Sequence, residues 1–190
     1  MVPPVLGETD SSAPALTLQQ AIDLALQHDK GLKKAELEVE RTEKLREAAA
    51  EKINFTPIMG STYDATTQVN WNNLLSADLT WRMSKKSLEA ERDSLVLKTC
   101  KSYWDVQTAL EKVALQEKLE QQALLNLQIA RAGLQAGTAA SYQVVEAEGR
   151  WQQAKNNLEA ARQALEDAYN TFNQLVGLDT KARPVLTDNP

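Results

Sequence analysis

The most constraining feature of the chain is a heptad pattern between residues 144 and 175. Apolar residues recur there in alternating steps of three and four: Val144, Ala147, Trp151, Ala154, Leu158, Ala161, Leu165, Ala168, Phe172 and Leu175. This spacing predicts a helix over about 140–176 whose single apolar seam must be covered by a second helix in a coiled coil. Because alternate seam positions from 147 to 168 are Ala, the partner helix can approach closely.

The preceding stretch is the predicted partner. No Pro occurs between Ser84 and Gln135, and the one Gly in this stretch falls where the last turn would be, so a single helix can run over about 84–135. At 1.5 Å per residue it would be ~78 Å long. Gly137 can adopt the left-handed conformation that closes a helix, and Thr138 or Ser141 can cap the next one. The two helices are therefore expected to form a long antiparallel hairpin.

Two shorter helices are predicted near the start of the chain. Thr17 and Gln20 have the spacing of a capping box, which opens a helix over about 17–28. A second helix is expected over about 32–54, before Pro57, because Pro disfavours helical geometry in the residue that precedes it. Its apolar stripe consists of Leu32, Ala35, Val39, Ala49 and Ile53.

The two ends of the chain lack helical patterns. Residues 1–15 contain three Pro and have neither the charged start nor the apolar middle of a signal peptide, so they are interpreted as a flexible lead-in. Residues 179–190 are interpreted as an irregular tail. The predicted organisation is thus a single repeat over 16–178 between two irregular ends.

Between residues 58 and 83 the apolar period changes from helical to two. Most apolar residues hold odd positions and most polar residues even positions on both sides of Asn72-Asn73, a turn signal, which predicts an inserted β-hairpin over about 58–83. The predicted apolar face comprises Ala65, Val69, Trp71, Leu75, Leu79 and Trp81. The predicted polar face comprises Asp64, Thr66, Gln68, Asn70, Ser76, Asp78, Thr80 and Arg82.

This hairpin has two possible environments. Because an isolated hairpin is marginally stable in water, it needs neighbours. Its apolar face could pack on helices of the same chain. It could instead face lipid as part of a β-barrel, with the polar face lining a pore, and Trp71 and Trp81 would suit the membrane interface.

Composition excludes several function classes. The net charge of -5 argues against nucleic-acid binding, which needs clustered Lys and Arg. One Cys and one His allow neither an intrachain disulfide nor a Cys/His zinc site. No nucleophile and base pair and no Gly-rich phosphate loop are present, so we expect no enzyme activity, no cofactor and no metal. No apolar run reaches the ~20 residues of a membrane-spanning helix.

Three phrases of the chain resemble the TolC-type outer-membrane efflux family. The opening LTLQQAIDLALQHD at 16–29 is similar to the family's usual first helix. The stretch from Ala130-Arg131 through Ala136-Gly137 to Val144-Val145-Glu146-Ala147-Glu148 resembles its helix-turn-helix signature. The close, AYNTFNQLVGL at 168–178, resembles its repeat ending. The match runs from residue 16 to 178, but covers one repeat where family members usually carry two.

The resemblance implies a mainly α fold: a long antiparallel coiled-coil hairpin whose inserted β-hairpin contributes to an oligomeric β-barrel and α-barrel. It implies a channel-forming efflux duct in the outer membrane with a periplasmic helical portion, and six copies if one repeat is the whole chain. The hairpin tip is then expected to dock a periplasmic adaptor protein of an efflux pump through Leu134, Gly137, Thr138, Ala139 and Ser141.

Two rival functions stay open at this stage. The chain could be a soluble coiled-coil interaction or adaptor module, which would need no detergent. It could also be one isolated repeat of a longer duct, which would fold as a helical bundle and conduct nothing.

Overall fold

The described part of the protein is mainly helical. The computed structural model describes residues 15–53 and 65–188, with side chains from residue 68 onward in the second range. Its elements, in chain order, are β1 Ala15–Leu16, α1 Leu18–His28, α2 Lys30–Glu51, α3 Ala65–Gln135, α4 Ser141–Val176 and β2 Val185–Leu186. Among these residues, no helix combines the length and the apolar character needed to cross a membrane.

Local hydrogen bonds explain where the first two helices begin. The predicted capping box of α1 is confirmed: the Thr17 N–H donates to Gln20 Oε1 at 3.0 Å, and the Gln20 N–H donates to Thr17 Oγ1 at 3.3 Å. Asp29 caps α2, because its carboxylate accepts the Leu32 N–H at 2.6 Å.

The chain divides into two compact units. The first contains residues 23–53 and 65–98. Here the predicted apolar stripe of α2 is confirmed, since Leu32 is buried and the other four members are half-buried. Two polar residues complete this face: Thr42, whose hydroxyl lies 2.8 Å from Ser84 Oγ, and Arg46, whose guanidinium lies 4.3 Å from the Trp81 ring centre. These contacts hold α2 against the first part of α3.

The predicted β-hairpin over 58–83 is wrong for residues 65–83, which are α-helical and belong to α3. The predicted turn at Asn72-Asn73 lies inside this helix, so α3 begins 19 residues before the predicted start at 84. Residues 58–64 of the prediction, including Asp64, lie outside the described residues.

The physical reason is that the odd-position pattern also fits a helix. Leu74, Ala77 and Trp81 are spaced by three and four and turn toward α2, as do Ser84 and Leu88 further along. A helix at this position also lets Arg46 stack on Trp81 and pair with Asp78, with 3.6 Å between Nη1 and Oδ1. A helix also satisfies its own backbone, whereas the two strands would need further strands beside them.

The second unit contains residues 15–22 and 99–188. The predicted seam of α4 is confirmed: Leu158, Ala161 and Phe172 are buried, and the other seven seam residues are half-buried. Three side-chain bonds join α4 to α3: Trp151 to Glu120 at 2.7 Å, Arg162 to Glu117 at 3.1 Å and Arg131 to Glu148 at 3.3 Å. Residues later in α4 pair with residues earlier in α3, so the helices are antiparallel, as expected.

The base of this unit joins the two ends of the described chain. β1 and β2 pair in parallel, with Ala15 opposite Val185 and Leu16 opposite Leu186. The buried Tyr103 hydroxyl donates to the Leu16 carbonyl at 3.1 Å and accepts the Asp188 N–H at 3.2 Å. The stretch 179–188 is therefore held against the helices, although only Val185–Leu186 within it has regular secondary structure.

Asp188 bonds through both its backbone and its side chain in this contact. Its carboxylate accepts the Leu18 N–H at 2.5 Å, and its carbonyl accepts a hydrogen bond from Gln107. Nearby, burial raises the pKa of Tyr169, whose ring also stacks under the Arg183 guanidinium at 5.0 Å. The C-terminal residues thus supply the cap for α1 from 170 positions away in the sequence.

Candidate functional site

The tip of the α3–α4 hairpin is closed by backbone geometry. Gly137 has φ 74°, the left-handed conformation that ends a helix without a side-chain clash. The N–H groups of Thr138 and Ala139 both donate to the Gly133 carbonyl, at 2.8 and 3.1 Å, and the Thr138 hydroxyl donates to the same oxygen at 3.1 Å. The Gly133 carbonyl, in the last turn of α3, is therefore satisfied within the turn.

Gly133 gives this turn the space it needs. A Cβ at residue 133 would lie 3.0 Å from the Ala139 Cβ and 3.4 Å from Thr138 Oγ1. Ala139 is half-buried there, so its methyl group packs on the helix backbone rather than pointing into solvent. The tip is consequently a compact, pre-formed loop.

The start of α4 differs from the expected cap. The N-cap residue is Ala140, and its N–H donates to the Gln143 side-chain oxygen at 3.0 Å. Ser141 is the first helical residue, while the Thr138 hydroxyl serves the end of α3. The expectation that Thr138 or Ser141 caps α4 is therefore wrong, because Gln143 reaches back to do so.

The structure brings the five predicted tip residues together in one turn. Leu134, Gly137, Thr138 and Ser141 are exposed, and Ala139 is half-buried. Two further exposed apolar residues stand beside them on the first turns of α4, Tyr142 and Val145. The sequence did not indicate these two residues, because neither occupies a position of the heptad seam, which begins at Val144. The tip offers an apolar surface with few charges.

A cleft of about 310 Å³ follows the tip along the groove between the two helices. Its α3 wall is formed by Leu119, Gln122, Ala123 and Asn126, and its α4 wall by Gln143, Glu146, Ala147 and Arg150. Small Ala side chains at facing positions create the space, and amide groups line it.

Replacing Gly137 by Ala should destabilise the tip. Because an L side chain in the left-handed region is strained, we expect the free energy of unfolding to fall by about 1–2 kcal/mol. Chemical denaturation followed by circular dichroism measures this loss. The matched control is Gly149→Ala on the exposed face of α4, where a Cβ meets nothing within 4 Å and the helix should gain stability. An equal gain in both variants would contradict the turn geometry.

A second surface lies on the side of α3 that faces away from α4. Leu115, Leu125 and Ile129 occupy this side and are 54%, 55% and 62% exposed. We call these three residues the outer stripe. Large apolar side chains clustered on one helix face commonly mark a protein or membrane contact. α3 thus carries two apolar faces in this unit, of which α4 covers one.

The residues predicted to line a pore or to face lipid do not form two separate faces. The predicted pore-lining residues are divided in the helix: Asn70 and Asp78 are half-buried toward α2, whereas Ser76, Thr80 and Arg82 are exposed. The predicted lipid-facing residues are divided as well, because Trp81 is half-buried while the others described are exposed: Val69, Trp71, Leu75 and Leu79. The side chains of Ala65 and Thr66 lie outside the described residues. The division into two faces rested on strand geometry and loses its basis.

Among the described residues, no group of three or more His, Cys, Asp or Glu side chains could hold a metal ion.

Some carboxyl groups with a lowered pKa are exposed members of helical ion pairs. A hydrogen bond from Arg41 lowers the pKa of Glu38, and one from Lys44 lowers the pKa of Glu40. These ion pairs lie on a solvent-exposed helix face.

Comparison with known proteins agrees with this architecture. A family model described as outer membrane efflux protein matches residues 66–178. A crystal structure of a membrane protein from Pseudomonas aeruginosa is similar to the chain with a TM-score of 0.74 and 18% sequence identity. The similarity covers 88% of this chain and 46% of that one, so the chain spans just under half of its length. A comparison with curated proteins found no match.

Proposed function

The chain belongs to the outer membrane efflux protein family, and on that premise we propose that it is a wall subunit of an efflux duct. In this proposal several copies stand side by side in a ring, with their α3–α4 hairpins forming the wall. The subunit is a passive conduit and has no catalytic step. It acts in the outer membrane with its helical part in the periplasm.

The outer stripe of α3 is the observation that carries the proposal. A hairpin that worked alone would need only the seam between α3 and α4. Instead Leu115, Leu125 and Ile129 leave a second apolar face uncovered within the described residues. A helix with two apolar faces is typical of walls in which each helix packs between two neighbours. The neighbour on this side is proposed to be another copy of the chain.

Lateral packing also favours a defined copy number. Each copy offers the same surfaces, so a head-to-tail contact closes into a ring when the rotation per copy divides a full turn. A ring of six copies is expected if one repeat is the entire subunit. Native mass spectrometry in detergent reads the copy number directly.

The hairpin tip is proposed as the docking site for a periplasmic adaptor protein of an efflux pump. Its support is geometric: Leu134, Thr138 and Ser141 are exposed on a turn that the Gly133 and Gly137 geometry pre-forms. A pre-formed turn loses little conformational entropy on binding. Tyr142 and Val145 add apolar area beside it.

A second candidate function is a helical module that conducts nothing. It is favoured by one observation, the α-helical conformation of residues 65–83, where the duct hypothesis expected strands. This module would still present the seam and the tip. The two candidates differ in whether an assembled ring lets ions pass through a bilayer.

Planar-bilayer recording separates the two candidates. Purified protein reconstituted at increasing concentration should give discrete conductance steps if the chain forms a duct. The matched control is the same protein heat-denatured before addition, which removes the assembled ring. Stable protein insertion without any conductance step would contradict the duct and support the non-conducting module.

A further inference from the structure

The outer stripe of α3 is part of a longer series of exposed residues. The members of this series follow one another in alternating steps of three and four, which is the spacing by which one helix packs along another. α4 of the same chain covers a different face of α3, so this series is free to receive a second helix. The series consists of Leu115, Lys118, Gln122, Leu125, Ile129 and Ala132.

α4 carries a series with the same spacing on the side away from its own seam. Two of its members are small. Gly149 has open space around it, since a Cβ at this residue would meet nothing within 4 Å, and Ala160 presents only a methyl group. We call this series the α4 outer face, and all of its members are exposed: Glu146, Gly149, Gln153, Asn156, Ala160 and Gln163.

The bonds between α3 and α4 show which residues of the two helices lie at the same height. One bond joins Glu120 to Trp151, and another joins Arg131 to Glu148. The helices are antiparallel, and each rises 1.5 Å per residue. A height on α3 can therefore be transferred to α4 by counting residues from these bonds.

The large residues of the outer stripe and the small residues of the α4 outer face lie at the same heights. Midway between the two bonds, Leu125 is level with Gly149. Leu115 precedes Leu125 by ten residues, and Ala160 follows Gly149 by eleven. Leu115 is therefore level with Ala160 to within about one residue's rise of 1.5 Å.

A closed ring would bring these heights into contact. Its copies are related by rotation about one axis, with no shift along that axis, so a residue meets the neighbouring copy at its own height. Leu125 then lies over Gly149 of the next copy, and Leu115 over Ala160. A large side chain over a small residue lets two helices approach closely and leaves no void between them.

The polar residues of the two series are compatible with the same register. Lys118 lies at about the height of Glu159, which borders the α4 outer face, and both side chains are exposed. Glu111, on the same side of α3, is level with the uncharged amide of Gln163. An opposite-charge pair therefore fits beside the apolar contacts.

From these observations we propose that the outer stripe packs on the α4 outer face of the neighbouring copy, with Leu125 seated on Gly149 and Leu115 on Ala160. This inference rests on the proposed ring and names the two unlike surfaces that form its contact. Because the surfaces differ, each copy uses one on either side, and addition of copies continues until the ring closes. Gly149 is critical, since any side chain there lies against Leu125.

The test is to fill the space at Gly149. In the single chain, Gly149→Leu should raise the free energy of unfolding, because Leu favours a helix more than Gly and the added Cβ meets nothing within 4 Å. Between copies the new side chain collides with Leu125, so the affinity should fall at least about tenfold. Urea denaturation followed by circular dichroism measures the first effect. Sedimentation of the full chain in detergent over a dilution series measures the second.

The matched control is Ala164→Leu, which enlarges an exposed residue of α4 outside the α4 outer face and should leave the affinity between copies unchanged. A second variant tests the contact itself. Leu125→Ala should weaken assembly when made alone. Combined with Gly149→Leu, it moves the large side chain from one surface to the other, and the affinity should return to within about threefold of the wild-type value.

The outcomes separate the pairing from the ring. If wild-type chains assemble and Gly149→Leu assembles equally well, the pairing is overturned while the ring stands. A combined variant that assembles more weakly than either single variant would also overturn the pairing. Wild-type chains that stay single at every concentration would overturn the ring, and the pairing with it.

Discussion

The double substitution Leu125→Asp and Ile129→Asp should prevent copies of the chain from assembling. Both side chains are exposed in the single chain, so each copy should fold normally. In a ring they would be buried against a neighbour, where each contributes about 1.5–3 kcal/mol. Two carboxylates in that contact add a desolvation cost, so the affinity between copies should fall more than about 100-fold. Analytical ultracentrifugation in detergent measures the change in mass.

The control for this experiment keeps the surface apolar. Leu125→Met with Ile129→Leu preserves hydrophobicity at both positions and should assemble as the wild-type chain does. Both double variants should have the helix content of the wild-type protein. An aspartate variant that still assembles would show that the outer stripe faces water or a lumen, and the neighbouring copy would have to bind elsewhere.

Replacing Phe172 by Ala should lower the free energy of unfolding by about 3–5 kcal/mol, a large share of the stability of a domain. The Phe172 side chain is 0% exposed, and its ring centre lies 6.1 Å from that of Tyr103 in an edge-to-face arrangement. Tyr103 in turn bonds to Leu16 and Asp188, so the cavity would weaken the joined ends of the chain as well. Urea denaturation followed by circular dichroism measures the loss.

Tyr142→Ala is the matched control for Phe172→Ala. Both positions are aromatic and belong to α4, but Tyr142 is 66% exposed, so its removal should change stability by less than about 0.5 kcal/mol. A small effect at Phe172 would mean that the base of the second unit is not the core that the packing indicates.

The sequence predicted the α3–α4 hairpin well because its signal is redundant. Ten seam residues from Val144 to Leu175 repeat one spacing, and Gly137 marks the turn, so no other secondary structure fits the pattern. The family follows from the same region, which the matching family model covers. The predicted tip residues do lie together in the turn, although their docking role remains a prediction.

The β-hairpin prediction failed because the same residues fit both the period of a strand and the period of a helix. Ala77 and Trp81 are odd-numbered and so fit a strand, but together with Leu74 they also form the inward face of a helix. What decides between the two is tertiary: Arg46 of α2 stacks on Trp81 and pairs with Asp78. A charged residue inside the α2 stripe gave no sequence signal for that contact.

The long-range contacts between the two ends of the described chain also could not be predicted from the sequence. β1 and β2 have two residues each, too few for a recognisable alternation. The cap that Asp188 provides for α1 joins residues 170 positions apart, and local capping rules consider only neighbours. Tyr103, which holds both ends, looks in the sequence like any other aromatic residue of a long helix.

The central claim is that the chain works as one of several copies in the wall of a duct. Single-particle electron microscopy of the detergent-solubilised protein tests it most directly. We expect ring-shaped end views with a central opening and a whole number of repeats, six for single-repeat subunits. Particles with the mass of one chain and no opening, at concentrations where the detergent-solubilised protein is folded, would contradict it.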